Sequence, residues 1–384
     1  MKQVTRRLME VIGLVGLVGC SPEPPLHLYD AQEATIDIPL VDLDLQVYWD
    51  YEMAFGIDYD WQAEWYYGWD QDDISMWGDI GYTTPSLFEL RRYYTGDKAY
   101  SKHTGVISAQ VSGTHFQGRY DWGFWDILCW NHVTTIDGIQ SIIIDEKNSL
   151  DSVIAYTNQT MRSSRYNAPR FAYAFHAPEP LFAAYEQAIE INESLEGFVY
   201  DEERNVYVKK LNMTLEPITY IYLTQVILHN NRGRVVSVDG AANLSGMAYS
   251  TTLNTGRAGS DAITVDYHVR MKNDCNKDGE LVDIIGGRLL TFGICNLNAN
   301  RANHSAEVPD PYHHYMDVTM QFNNGMDSTL IFDVTKQIRQ RYKGGVITIE
   351  LDMDTIPIPT RSGGSGFDAV VKPMEDGGTH EFEM

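Results

Sequence analysis

The sequence predicts an all-β protein with two tandem β-sandwich domains. Short runs of apolar and β-branched residues recur along the chain, and Gly, Asn and Asp separate them. This spacing is typical of sandwich strands and their turns. The 384 residues correspond to about two domains of roughly 150 residues each. Apolar residues make up 43% of the chain, which is enough to bury a core in both domains.

Strand candidates fill the first half of the chain. Residues 36–48 alternate between apolar and polar side chains, a period of two that predicts a half-buried strand. Further runs follow at 87–94, 105–112, 118–133 and 139–145. Residues 181–195 fit a helix as well as a strand, and the polar residues 196–205 mark the predicted domain boundary. We therefore expect an N-terminal sandwich over residues 31–200 and a C-terminal sandwich over residues 201–384.

The second half repeats the strand pattern and adds one helix. Its strand candidates are residues 206–215, 218–228, 234–238, 262–271, 287–293, 315–322, 329–334 and 346–353. The run Thr335–Tyr342 lies before Gly344 and Gly345 and predicts a short helix that ends at these glycines.

The N-terminus has the layout of a secretory signal peptide over residues 1–19. Lys2, Arg6 and Arg7 precede an apolar run at 11–18, which is too short for the ~20 residues of a membrane-spanning helix. The run ends in Leu-Val-Gly-Cys and resembles the bacterial lipobox, so we expect lipidation at Cys20.

Residues 20–30 then form a predicted tether. Pro22, Pro24 and Pro25 favour an extended, stiff chain between a lipidated Cys20 and the folded part. Acyl chains such as palmitate hold a protein on a bilayer through the burial of their methylene groups. We therefore expect an outer membrane lipoprotein, and its periplasmic and cell-surface locations both stay open.

The charge and the motifs exclude several classes of function. The chain has 53 acidic and 29 basic residues, a net charge of −24, which excludes nucleic acid as a partner because phosphate binding needs a basic face. The sequence contains no nucleophile elbow, P-loop or dinucleotide fingerprint. We therefore expect no catalytic residue, no cofactor and no enzyme activity.

Two local patterns suggest a metal only superficially. His313 and His314 are adjacent, and neighbouring residues on a strand face opposite sides of the sheet. Residues 273–279 begin like a calcium loop, but Ile285 stands where the bidentate Glu belongs. An ordinary turn is the better interpretation of this loop, and no metal site is predicted.

Three cysteines follow Cys20. Cys275 and Cys295 flank the run 281–294 and could close a hairpin as a disulfide, which an envelope protein permits. The alternative is that they stay separate thiols. Cys129 lies in an apolar run and is expected to be a buried thiol.

The segment from Tyr48 to Trp77 combines aromatic and acidic residues at unusual density. Trp61, Trp65 and Trp69 are candidates for an exposed platform that stacks on sugars or anchors a protein partner. The alternative is that the aromatic side chains are buried under a long loop and the acids point outward.

Residues 118–131 read GRYDWGFWDILCWN, and four further characteristic segments follow at 135–140, 150–157, 178–182 and 366–384. In these segments the chain resembles the fimbrillin-type lipoproteins, which are related to anchor and accessory subunits of type V pili. The resemblance implies two transthyretin-like sandwiches, no catalytic residues, and pilin-like partners bound by sheet-edge or aromatic contacts.

One departure from the family pattern bears on the role. In the polymerising subunits an N-terminal strand is cut away after an Arg, which opens a groove for a neighbour's strand. Between Cys20 and Tyr48 this sequence contains no Arg or Lys. The sequence therefore predicts a subunit that keeps its lipid and acts as a fimbrial anchor or accessory. The alternative function is a surface glycan-binding lipoprotein.

Overall fold

The computed structural model describes residues 40–47, 60–135, 138–146, 153–163, 173–297, 312–360 and 369–371. Within these ranges the protein is all-β, as predicted. Three short helices interrupt the strands: α1 (Trp61–Glu64), α2 (Gln71–Trp77) and α3 (Thr335–Gln340). None of the helices in the described part of the chain has the length and hydropathy needed to cross a membrane.

Twenty-one strands make up the rest of the regular structure in these ranges. In chain order they are β1 (Leu40–Val47), β2 (Leu87–Gly96), β3 (Gly105–Ser112), β4 (His115–Arg119), β5 (Gly123–Asn131), β6 (Ile142–Glu146), β7 (Val153–Thr157), β8 (Gln159–Ser163), β9 (Tyr173–His176), β10 (Phe182–Ile191), β11 (Phe198–Asp201), β12 (Val206–Pro217), β13 (Tyr220–His229), β14 (Val235–Ala248), β15 (Ser250–Thr252), β16 (Ala262–Lys277), β17 (Glu280–Thr291), β18 (Tyr315–Phe322), β19 (Asp327–Asp333), β20 (Gly345–Asp352) and β21 (Ala369–Val371).

The first sheet contains eight strands. Their order is β3-β2-β5-β10-β12-β1-β4, and β11 also pairs with β12. β1 runs parallel to β12 and antiparallel to β4, so a ladder flanks it on both sides. The predicted alternation of residues 36–48 is confirmed for β1, because Val41, Leu43 and Leu45 are fully buried in the first core.

The second sheet contains ten strands in the order β20-β13-β17-β16-β14-β18-β19-β21, with β9 on β16 and β8 on β9. β13 is buried along almost its whole length because both of its faces are covered. Ile221 and Leu223 pack in the first core, whereas Tyr222 and Val226 pack in the second. A separate three-stranded sheet has the order β15-β7-β6. β13 therefore forms a wall shared by the two cores.

The sheets do not follow the predicted division at residues 200 and 201. β11 and β12 belong to the first sheet, so this sheet extends to Pro217. The reason is that Met213 and Leu215 of β12 pack in the first core. Conversely, β6 to β9 lie with the second unit, where Val153 and Phe175 enter the second core. The two units therefore interleave along the chain.

Two irregular segments explain where the sequence pattern was ambiguous. Residues 181–195 form the strand β10, and a bulge between Glu186 and Ile189 interrupts its period of two. The predicted strand 118–133 is divided between β4 and β5, because residues 120–122 leave the sheet and β5 begins at Gly123, where φ is 129°. A Cβ atom there would lie 2.7 Å from the carbonyl oxygen of Gly96, so only glycine fits.

Candidate functional site

The predicted aromatic platform lies in residues 60–82, called here the strap, which cross the outer face of the second sheet. Trp61 is only 6% exposed and packs in the first core, so it cannot stack on a ligand. Trp65 is half-buried, its ring centroid lies 5.4 Å from that of Tyr67, and its Nε1 donates to the carbonyl of Gly68 at 3.0 Å. The alternative of buried aromatic side chains is therefore correct for Trp61.

Trp69 remains partly accessible. Its ring centroid lies 5.3 Å from that of Trp77, and its Nε1 donates to the carbonyl of Gly78 at 3.2 Å. Both rings are half-buried. The structure thus separates Trp69 from Trp61 and pairs it with Trp77, so the three predicted residues do not form one platform.

A buried carboxylate holds the strap to the sheet. Asp73 is fully buried, and its oxygens accept from Arg270 Nη1 and Lys272 Nζ, both at 2.5 Å. The Tyr67 hydroxyl donates to the same carboxylate at 3.1 Å, and the backbone N–H of Asp70 donates at 2.8 Å. Four donors therefore compensate the cost of burying this charge. These five residues are called here the clamp.

The clamp also fixes the start of α2. The Asp70 side chain accepts from the N–H of Asp73 at 3.0 Å, which completes a capping box between these two residues. A hydrogen bond from Lys272 holds the pKa of Asp70 well below its usual range. Burial, followed by the charge of Asp73, raises the pKa of Tyr67.

The sequence contains two signals for the clamp, although neither predicts it alone. Asp70 and Asp73 have the three-residue spacing of a capping box. Arg270 and Lys272 are two apart on β16 and therefore project from the same face of the sheet. Nothing in the sequence indicated that these two pairs meet, because about 200 residues separate them.

Glycine and arginine residues of β17 shape the surface beneath the strap. The ring of Tyr67 lies over Gly286, where an added Cβ would come within 2.3 Å of Tyr67 Cδ2. Arg288 donates to the carbonyls of Ile80 at 2.9 Å and Gly81 at 2.8 Å. Burial lowers the pKa of Arg288 to about 10. The strap is therefore fixed at its end as well as at the clamp.

β1 is the second feature of interest, because it completes the first sheet from the N-terminal side. Leu43 lies opposite Leu211 of β12 and Phe116 of β4. The outward face carries Asp42, whose Oδ1 lies 2.9 Å from His115 Nε2. Cys20, the signal peptide and the tether lie outside the described residues.

The two ends of the first sheet are β3 and β4. A short turn at Gly113 and Thr114 connects them, yet no ladder joins them within the described residues. Val106 and Ile107 of β3 are 54% and 42% exposed. β3 is therefore a sheet edge with unpaired backbone groups and accessible apolar side chains.

The strand register corrects the proposed pairing of Cys275 with Cys295. Cys275 lies opposite Val282 near the start of β17, whereas Cys295 is buried beyond the far end of that strand. The length of β17 between these points is roughly 30 Å at about 3.4 Å per residue. A disulfide needs Cα atoms within about 7 Å, and the structure contains no such bond between these cysteines. Cys129 is buried, as predicted, and burial raises the pKa of its thiol to about 12.

The structure describes both of the patterns that were considered as metal sites. His314 is fully buried, with Nδ1 3.2 Å from the carbonyl oxygen of Ser245, while His313 is exposed on the opposite side. Residues 277–280 form the turn between β16 and β17, where Asn276 Oδ1 accepts from the N–H of Gly279 at 2.8 Å. No cluster of potential metal ligands occurs among the residues that the structure describes.

Comparisons with known proteins give structural but not sequence matches. No family model and no curated protein matches the chain. A candidate adhesin from Bacteroides ovatus is similar at 13% identity and a TM-score of 0.48, covering 83% of this chain and 94% of that chain. The fimbrial anchor protein Mfa2 from Porphyromonas gingivalis is similar at 10% identity and a TM-score of 0.41, covering 89% and 95%.

A third solved structure is described as a candidate polysaccharide-binding protein from Bacteroides thetaiotaomicron. It is similar at 7% identity and a TM-score of 0.41, covering 82% of this chain and 91% of that chain. The solved structures similar to this chain thus include a candidate adhesin, a fimbrial anchor protein and a candidate polysaccharide-binding protein.

Proposed function

We propose that this protein is a lipid-anchored, non-catalytic component of the outer membrane that serves as a fimbrial anchor or accessory. In this proposal the two units are transthyretin-like sandwiches, and Cys20 carries the lipid. The observation that supports it best is β1, which occupies its own place in the first sheet between β12 and β4.

A retained β1 suits an anchor better than a polymerising subunit. Val41, Leu43 and Leu45 are buried, so the first sheet needs no strand from a neighbour at this position. The segment from Cys20 to Leu40 contains no Arg or Lys at which a trypsin-like protease would cut. Load applied to a lipidated Cys20 would reach β1, where both of its ladders would share it.

The partner would bind at the edge strand β3. Its free backbone groups can accept an added strand, and the exposed Val106 and Ile107 give that strand an apolar contact. A pilin-like subunit is the partner class that the sequence resemblance implies. The alternative of glycan binding by Trp61, Trp65 and Trp69 is weaker, because Trp61 is buried.

Photo-cross-linking in the native envelope tests the partner. A benzophenone side chain in place of Val106 should capture a pilin-like protein, because that side chain lies at the free edge. The same group at Tyr100, an exposed turn residue beside the same sheet, is the matched control. Capture of the same protein from both positions, or of no envelope protein from Val106, would contradict the edge-strand proposal.

Lipidation at Cys20 can be tested separately in the same cells. We expect the natural chain in the membrane fraction and the Cys20→Ala variant unlipidated and unprocessed. Incorporation of radiolabelled palmitate into that variant would contradict lipidation at Cys20.

A further inference from the structure

A cavity lies at one end of the second sheet, and no residue of the strap or of β3 lines it. Its volume is about 560 Å³. One wall is the turn between β13 and β14, with Asn230 to Gly233, and the other is the β16–β17 hairpin. Side chains of both polar and apolar character line it, as in a site that receives a small molecule.

A β-bulge directs two polar residues into this cavity. Between the pairs Lys272–Ile284 and Cys275–Val282, the residues Asn273 and Asp274 face a single residue of β17, Asp283. Asp274 adopts the left-handed conformation, with φ 55°. Bulges of this kind redirect side chains and are common beside functional sites.

Asp283 forms hydrogen bonds with both walls of the cavity. Its Oδ1 accepts from the backbone N–H of Asp274 at 3.1 Å, and its Oδ2 accepts from Asn231 Nδ2 at 2.7 Å. Asn231 is itself buried and bonds both the N–H and the carbonyl of Val235. The cavity is therefore preorganised, which lowers the entropic cost of binding a ligand.

The remaining carboxylate at the rim is also held. Glu280 lies on the rim, and its oxygens are 3.1 and 3.2 Å from His229 Nδ1. In contrast, the side chains of Asn273 and Asp274 are exposed and make no hydrogen bond within the described part of the chain. These two side chains are thus the groups free to meet a ligand.

Two exposed aliphatic residues complete the cavity. Leu281 is 70% exposed and Val236 is 52% exposed, and both line it. An aliphatic surface beside an amide and a carboxylate matches a ligand with C–H groups on one face and hydroxyl groups at its edge. The carboxylates of Asp274, Glu280 and Asp283 outnumber the single cation, Arg232, and would repel an anion.

We propose that this cavity binds a neutral saccharide. Asp274 and Asn273 bond neighbouring ring hydroxyls, and Leu281 and Val236 pack against the C–H face of the ring. This inference does not depend on the fimbrial role, because neither β1 nor β3 contributes to the cavity.

Calorimetry on the full chain with cellohexaose, xylohexaose, mannohexaose and N-acetylchitohexaose tests the proposal. At least one of these probes should bind, and Asp274→Ala should weaken its Kd by about tenfold or more. Leu281→Ser should weaken binding several-fold. Because the Leu281 side chain is exposed, this substitution should not reduce the stability of the fold. Trp69→Ala should leave the Kd within about twofold.

Three results would overturn the proposal. The first is that the natural chain binds none of the four probes at millimolar concentration. The second is that Asp274→Ala and Leu281→Ser bind as the natural chain does, while Trp69→Ala does not. The third is that a Lys-rich hexapeptide binds in the cavity while the saccharides do not, which would assign it to a cationic peptide.

Discussion

β1 is a strand within the first sheet, whereas the strap crosses a face of the second sheet, and different forces hold the two segments. β1 is held by ladders on both sides and by three buried aliphatic side chains, Val41, Leu43 and Leu45. The strap is held by the clamp, in which the buried Asp73 accepts from Arg270 and Lys272. Apolar burial hardly responds to pH or salt, whereas an ion-pair network does.

This difference shows which side chains determine the position of β1 and which determine the position of the strap. The position of β1 is specified by its alternating apolar pattern, because the ladder bonds are made by the backbone and the buried side chains Val41, Leu43 and Leu45 set the register. The clamp needs a carboxylate at residue 73, since a neutral side chain would leave Arg270 and Lys272 without their one fully buried acceptor and with only the more exposed Asp70 and Asp72. The strap is thus positioned more selectively, at the cost of desolvating three charges.

The largest expected effect comes from a charge at the centre of β1. Leu43→Asp leaves a cavity and an unpaired buried carboxylate, so we expect the free energy of unfolding to fall by about 5 kcal/mol or more. Urea unfolding measures this change. The matched control is Gln46→Asp on the exposed face of the same strand, which should cost less than about 0.5 kcal/mol. Equal losses in both variants would show that β1 does not face the core as described.

Breaking the clamp should have the next largest effect. Asp73→Ala removes the fully buried acceptor and leaves Arg270 and Lys272 with the more exposed Asp70 and Asp72, so we expect a loss of about 3 kcal/mol. Urea unfolding measures this loss, with the strap tryptophans as the fluorescent reporter. Asp72→Ala is the control, because its side chain is 81% exposed and its pairing with Arg270 is worth at most about 1 kcal/mol. If the two variants lost the same stability, the ion pairs of Asp73 would not be what holds the strap.

A fall in pH should have the smallest effect on the free energy of unfolding, and it should act through the strap rather than through β1. The pKa of Asp70 is lowered in the folded chain by the hydrogen bond from Lys272. Its stabilisation is therefore complete above the unfolded pKa of about 3.9 and is lost as pH falls below that value. Unfolding measured between pH 5 and 2 should show this loss below about pH 4, with a shallower slope in Asp70→Asn. An unchanged slope would mean that Asp70 contributes nothing to the acid response.

Local patterns predicted much of the fold. The alternation of residues 36–48 predicted β1, the run 105–112 matched β3, and Thr335–Tyr342 contained α3. The platform of Trp61, Trp65 and Trp69 failed because a cluster in the sequence does not state which side chains face the core. The disulfide between Cys275 and Cys295 failed because a spacing of 20 residues does not give the strand register that separates them.

The sequence by itself determined the fold class, the buried face of β1 and the acidic character of the chain. These properties depend on period, propensity and composition, which are local. Only the tertiary structure decided that β12 joins the first sheet, that Asp73 meets Arg270 and Lys272, and that the bulge at Asn273 and Asp274 faces a cavity. These are contacts between distant segments, and their energy depends on burial and geometry that arise only after the sheets have paired.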